Sequence, residues 1–389
     1  MSTEVKYLHS SMTGAPTLSG QAGTLIAVLD ACLVNGFGLG TVDSVVIAGG
    51  VATVTRASGH PFEVDSIALI AGGSVSGGGS INGEKRVLSV TGVSYTFDAT
   101  GISDQTATGT ITHKTAPLGW AKQYSNTNLA AYKSSDVSAT GCLLRVDDTG
   151  TNNARVVGYE TMSTIDLGLS PFPTPAQVSG GGFWGKSNSA DSTTRPWVLV
   201  GDKRGFLLCV NWTSGASYGS YWFGDVLSNK TSDTFGCVLS AKTVSATGDT
   251  PGAATADLCY ADMLTEAPMW AARSFTGLGS SKPLLKTAMS PVGYAHTYRS
   301  GTTGTSSAFM NYPNPVDNGL YLVQMMLGEI NPNAYRGLIP GFYFCPQQIS
   351  NVFANKDKVT NVTGMSGRTF LAVNNSVGAQ FLDITGPWR

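Results

Sequence analysis

The stretch RPWVLVGDKRGFLLCVNW, residues 195–212, reads as a β-hairpin and sets the class of the fold. Two apolar runs, Trp197–Val200 and Phe206–Val210, flank the turn Gly201-Asp202-Lys203-Arg204-Gly205. Short apolar runs on either side of a Gly- and Asp-bearing turn are the signature of paired strands. The same pattern recurs downstream and upstream. CLLRVDDTGTNNARVVGYETM (142–162) turns through Asp147-Asp148-Thr149-Gly150, and RTFLAVNNSVGAQFLDITGPWR (368–389) makes a third hairpin. DSVVIAGGVATVTRA (43–57) places two short strands about Gly49-Gly50. VDSIALIAGG, EKRVLSV, SYTFDA and TATGTITHK follow by residue 114. In the last of these, Thr108, Thr110 and Thr112 alternate with Ala107, Gly109 and Ile111, which predicts a strand. Five or six short strands in about 70 residues suit a small barrel or sandwich.

Composition agrees. The chain has 389 residues, of which 42% are hydrophobic and only 13% charged, with 48 glycines. That charge is about half the usual globular share of about 25%. Such a mixture favours strands joined by tight turns and argues against disorder. The 24 basic and 25 acidic residues are interspersed, so no cationic patch predicts nucleic-acid binding. No export signal is evident at the start. The longest apolar run, LIAVLDACLV, has an Asp30 in it and falls well short of the roughly 20 residues a membrane helix needs. The six cysteines (Cys32, Cys142, Cys209, Cys237, Cys259, Cys345) lack metal-binding spacing and sit mostly in apolar runs, which predicts buried thiols.

One helix is expected. In GTLIAVLDACLVNGFG, Leu25, Leu29, Cys32 and Leu33 form an apolar stripe, with Thr24 as the N-cap and Asn35-Gly36 as the stop. Residues 167–196 read as a long Ser/Gly/Pro loop. The apolar run Leu320–Leu327 is compatible with either a short helix or a strand.

Several motifs invite chemical readings. Gly180–Ser187, GGGFWGKS, matches the phosphate-binding pattern G-x-x-x-x-G-K-S. That pattern works when a strand precedes it and a helix follows, so that loop and helix amides cradle phosphates. Here PFPTPAQV precedes it and NSADSTTRP follows. The expectation is a loop in which Phe183 and Trp184 pack on an apolar surface, and in which Lys186→Ala disturbs neither assembly nor nucleotide affinity. GASYG matches a nucleophile elbow around Ser217, but GSYWFGDV does not read as the required helix and only His296 follows. His60, Glu63 and Asp65 in GHPFEVDS could hold a divalent ion; a solvated turn is the simpler expectation. Asp147-Asp148 with Gly150 resembles half a calcium loop without its ligand spacing. The aromatic stretches YGSYWFGD, GGFWGK and GFYFC fit a sugar-stacking surface as well as core or subunit contacts. No catalytic, cofactor-binding or metal-ligating residue is assigned.

VKYLHSSMTGAPTLSGQAGTLIAVLDACLVNGFG (5–38), GWAKQYSNTNLAAYKS (119–134), LLRVDDTGTNNARVVGYETMSTIDLG (143–168), FPTPAQ (172–177), RGLIPGFYF (336–344) and FLDITGPWR (381–389) resemble a family of tailed-bacteriophage virion proteins, largely uncharacterised or structural. GHPFEVDSIALIAGG, INGEKRVLSVTGVSYTFDATG and TATGTITHK resemble a separate small β module of phage tail and structural proteins, although VDS stands here where that module has Gly-Asp. The resemblance implies a mainly β protein. An N-terminal arm and helix (1–40) would pack on a β-sandwich or barrel-like main domain (116–389), interrupted by an inserted small β-barrel-like domain (41–115). It also implies a virion component made in the bacterial cytoplasm, a homo-oligomer assembling with other virion proteins in the tail, tail tip, head decoration or connector. A host-surface glycan is a further candidate partner; nucleic acid, membrane and cofactors are not expected.

Overall fold

The computed structural model describes residues 2–213, 218–243, 269–288, 310–329, 334–349, 352–375 and 378–389. The chain is mainly β, with curled antiparallel sheets and one short helix, as the sequence predicts. The hairpin of residues 195–212 forms as expected: Trp197–Gly201 pairs with Gly205–Val210, Trp197 opposite Val210. Asp202 closes its turn by accepting from the amides of Arg204 and Gly205 at 2.7 and 2.8 Å. Both strands are buried along their whole length, as is the next strand, Gly219–Asp225. Continuous rather than alternating apolar runs follow from this, because both faces of these strands are covered.

The two coverings can be read from the register. Phe206 lies opposite Phe223 and Leu208 opposite Tyr221, on one face. That face meets a six-stranded sheet built from Trp120–Asn126, Leu129–Ser134, Leu143–Asp147, Asn153–Met162, Gly168–Phe172 and Gly182–Gly185. Trp120 packs edge-on to Phe206 at 5.4 Å and Trp184 stacks on Tyr221 at 5.6 Å. On the other face Leu207 lies opposite Trp222 and Cys209 opposite Ser220. There Trp222 meets Trp388 at 6.3 Å, and Gln380 bonds Ser220. The thirteen-stranded sheet therefore curls so that its C-terminal strands, including Phe370–Asn375 and Gly378–Asp383, lie over its own earlier strands. Leu25, Leu29, Cys32 and Leu33, the helix stripe, join the same core and are fully buried.

Residues 40–115 form an eight-stranded sheet of their own with a separate apolar core, Val45, Ile47, Val54, Ile70, Val87 and Phe97 among it. The hairpin Ser44–Ala48/Val51–Thr55 turns on Gly49 and Gly50, both at positive φ, 58° and 77°. That conformation carries a steric cost for residues with a Cβ, which is why the turn takes two glycines.

Three local expectations need correction, and one open alternative is decided. The strand expected over 106–114 is interrupted: Gln105–Thr106 and Thr112–Thr115 are strands, with Gly109 at φ 103° between them, so close to Gly72 that a Cβ would lie 2.3 Å from its carbonyl oxygen. The loop 167–196 contains two strands, Gly168–Phe172 and Gly182–Gly185. The run at Leu320–Leu327 resolves into a strand, Val323–Glu329. Thr24 is not the N-cap: Gly23 holds that position at φ 80°, and the Thr24 hydroxyl turns back to the carbonyls of Ser19 and Gln21. The helix Thr24–Leu29 continues as a wider π-helical turn, Asp30–Asn35, and ends at Gly36.

Within the small sheet His113 is fully buried, with Nδ1 3.1 Å from the Tyr95 hydroxyl. Burial, helped by the positive charge of Arg56, pushes its pKa down to about 4. A histidine whose folded pKa lies below its unfolded value stabilises the fold above the unfolded pKa and loses that contribution as pH falls. Between pH 7.5 and 4.5 the expected loss is about 2–3 kcal/mol. Thermal melts across that window are expected to show this loss for the native chain and a flatter profile for His113→Gln.

Candidate functional site

GGGFWGKS is a built site, but not a phosphate site. Gly180 and Gly181 take positive φ, 72° and 90°, and Gly182 approaches so closely that a Cβ would sit 2.3 Å from that of Ala241. The glycines thus let Gly182–Gly185 come in beside Asn153–Met162 as a strand, Trp184 opposite Ala154. Trp184 enters the core and donates to the Ser240 carbonyl at 2.8 Å. Phe183 remains half-buried on the opposite face, where the Arg155 guanidinium lies 3.8 Å from its ring centre. The amides of Lys186 and Ser187, which would face an anion in a phosphate loop, both donate to the Asn152 carbonyl.

Lys186 is fully buried. Its Nζ donates to Asp148 and, at 2.7 Å, to the Gln21 carbonyl. Asp148, fully buried too, accepts from the amides of Leu25 and Ile26 at 2.8 and 3.2 Å. The half calcium loop is therefore divided. Asp147 organises its own turn through Thr149, while Asp148 points inward and caps a helix more than a hundred positions earlier. A helix beginning at a glycine has no side-chain cap of its own, and its free amides favour a negative charge. Burial pushes the Asp148 carboxyl up and the Lys186 amine down in pKa, and their mutual attraction offsets part of both shifts.

A second cluster forms where the N-terminal strand Lys6–His9 meets the small sheet and the turn 356–358. His9 Nε2 lies 3.0 Å from Glu63, and its Nδ1 accepts from the Ser11 amide. Tyr7 donates to the Val64 carbonyl at 2.7 Å and receives Lys358 at 2.7 Å. The bond from His9, backed by Lys358 and Lys356, holds the Glu63 carboxyl below its usual range. A histidine–carboxylate pair is the core of many acid–base sites. Here the imidazole is 1% exposed, with Nδ1 taken by the Ser11 amide and Nε2 facing Glu63, so the pair ties the N-terminal strand to the small sheet.

The other candidates separate. His60 does not join Glu63 and Asp65; its Nε2 faces the carbonyls of Thr91 and Ser94. Asp65 sits 3.9 Å from Arg86. Among the described residues no group of three or more His, Cys, Asp or Glu is arranged to hold a metal ion. Ser217 and His296 lie outside the described residues, and Gly219–Asp225 after Ser217 is a strand. All seven tryptophans are buried, so none offers a face to a sugar. The reading of the chain missed Tyr7, His9 and Lys358, and nothing local signals them: they are brought together from positions more than three hundred residues apart.

Because Lys186 is the side-chain cation paired with buried Asp148 among the described residues, Lys186→Ala leaves an uncompensated charge at the helix start. It is expected to destabilise the chain by about 3–5 kcal/mol in denaturant titration. Titration with a fluorescent ATP analogue is expected to show no binding to either form. No protein family and no curated protein matches this sequence.

Proposed function

We propose that this chain is a structural component of a tailed-bacteriophage particle, acting by symmetric assembly, in the tail or tail tip. A head decoration or head–tail connector position is the alternative. The observation that carries the reading is where the ionisable side chains are used. Asp148, in the resembling segment 143–168, caps the helix of segment 5–38. Arg336, at the start of segment 336–344, is buried between Glu329 and Asp233. Asp383, in the closing segment, is buried against Arg368. Buried charges thus anchor residues of several resembling segments firmly in the fold, and in one case join two of these segments directly. Rigidity of that kind suits a repeating subunit, whose work is to present the same surface to each neighbour.

Assembly needs such a surface. The strand Gly168–Phe172 ends the order of the six-stranded sheet, and Leu169 on it and Leu167 just before it are 70% and 63% exposed. Unpaired strand edges bearing apolar side chains invite pairing with another chain, and lysine on an edge blocks it. Host-glycan adhesion through exposed Trp and Tyr is the further alternative; the tryptophans are buried, and Tyr335 is 46% exposed.

Gold-labelled antibodies against the chain are expected to decorate purified particles at the tail; label at the head supports the alternative, and an unlabelled particle refutes both. Leu169→Lys is expected to shift sedimentation of the purified chain towards the monomer without lowering its Tm. A sedimentation profile equal to that of the native chain places the subunit contact elsewhere.

A further inference from the structure

We propose that Cys142 and Cys237 are a latent disulfide that bolts the two facing sheets together once the protein meets a disulfide oxidant. Cys142 immediately precedes Leu143–Asp147 of the six-stranded sheet, and Cys237 opens Cys237–Ser240 of the large one. The register brings them together. Thr140 bonds Asp225 through its hydroxyl at 2.6 Å and its amide at 3.1 Å, and Asp225 is paired with Cys237. Cys142 and Thr140 are the side chains that act on the Cys237 thiol, and Cys142 and Cys237 belong to the same buried core. The other described cysteines have different neighbours: Cys209 meets Ser220 at 3.0 Å, Cys345 meets Gln347, and Cys32 lies among the leucines of the helix stripe. Cys259 lies outside the described residues.

Both thiols are buried, 6% and 2% exposed, yet they lie beneath an open cleft of about 670 Å³. Thr140, Gly236, Arg204, Asp225 and Arg389 line it; Gly236 is the chain neighbour of Cys237, and Thr140 lies two positions before Cys142. A small disulfide such as oxidised glutathione needs only a local opening to reach them. One cysteine thiolate attacks it, forming a mixed disulfide and releasing one glutathione thiolate. The second cysteine, losing its proton, displaces the remaining glutathione. Two protein thiols become one disulfide, and one oxidised glutathione becomes two reduced ones. Burial raises the Cys237 pKa, so the thiolate is scarce and the exchange is slow at neutral pH. A protein made in a reducing compartment keeps the pair open; release into an oxidising one closes it. The bond would close a loop of about 95 residues, long enough to restrict the unfolded chain substantially.

The test uses the full chain, reduced, freed of reductant and incubated with oxidised glutathione at mildly alkaline pH. Trypsin then gives peptides 134–145 and 231–242, each with one cysteine. The expected product is these two peptides linked, lighter by two hydrogens than the reduced pair, with Tm raised by a few degrees. Dithiothreitol is expected to reverse both changes, Cys237→Ser to abolish both, and Cys32→Ser to leave the cross-link intact. Peptides that stay alkylatable, that each carry glutathione, or that link to other cysteines overturn the proposal, and this readout on the native chain does not depend on any variant folding.

Discussion

The first helix of this protein cannot begin by itself. It starts at a glycine, and the carboxylate that accepts its first free amides, Asp148, comes from the tip of a distant hairpin. That carboxylate is fully buried, so it requires a cation, and Lys186 supplies it from the strand GGFWGKS brings in. A buried ion pair gains little over an apolar alternative but is costly to break on one side. Three elements therefore stand or fall together: the helix, the hairpin 143–162 and the strand 182–185. The helix stripe, Trp184 and the inner face of the six-stranded sheet share one core, so the charge pair fixes how that core is closed.

The long sheet presents a second constraint, because an open sheet has two edges. Its outermost strands, Lys6–His9 and Lys358–Val359, lie close enough for Lys358 to reach the Tyr7 hydroxyl and Lys356 to reach Ser11. The gap between them is filled from the small sheet, whose Val64 carbonyl accepts from both Tyr7 and Lys358. Arg86 of the same small sheet reaches the carbonyls of Ser2, Ile384 and Thr385. Residues 59–90 thus act as a clasp over the seam of the large sheet, which protects edges that would otherwise be open to pairing.

How much of this was legible in the sequence depends on the range of the interaction. The hairpins at 44–55, 143–162, 197–210 and 370–383 were read correctly, because strand and turn signals sit within a few residues of each other. The stripe of the helix was legible for the same reason. What failed was non-local. Gly182–Gly185 is a strand only because Asn153–Met162 and Ala241 accept a backbone with no side chain in the way. Asp148 reads as a turn aspartate until the helix above it is known to lack a cap. GGGFWGKS misleads because the glycines that let a backbone approach a phosphate equally let it approach another strand. The clasp of Tyr7, His9, Glu63 and Lys358 has no signature at all, since each residue is ordinary in its own segment.

The place of the strand Lys6–His9 has a consequence for how the protein is made. Its hydrogen-bonding partner is Trp197–Gly201, its helix neighbour waits for Asp148 and Lys186, and its clasp waits for Lys358. During synthesis residues 6–35 emerge before these partners exist, while the sheet of residues 40–115 already holds all its own strands and core. Folding in vivo thus runs out of chain order: the second segment condenses first, and the N-terminal arm threads back only when the ribosome has delivered the middle of the protein. Contacts of such sequence separation close slowly. The arm is therefore the part of the chain that spends longest exposed, and the one on which a chaperone would act.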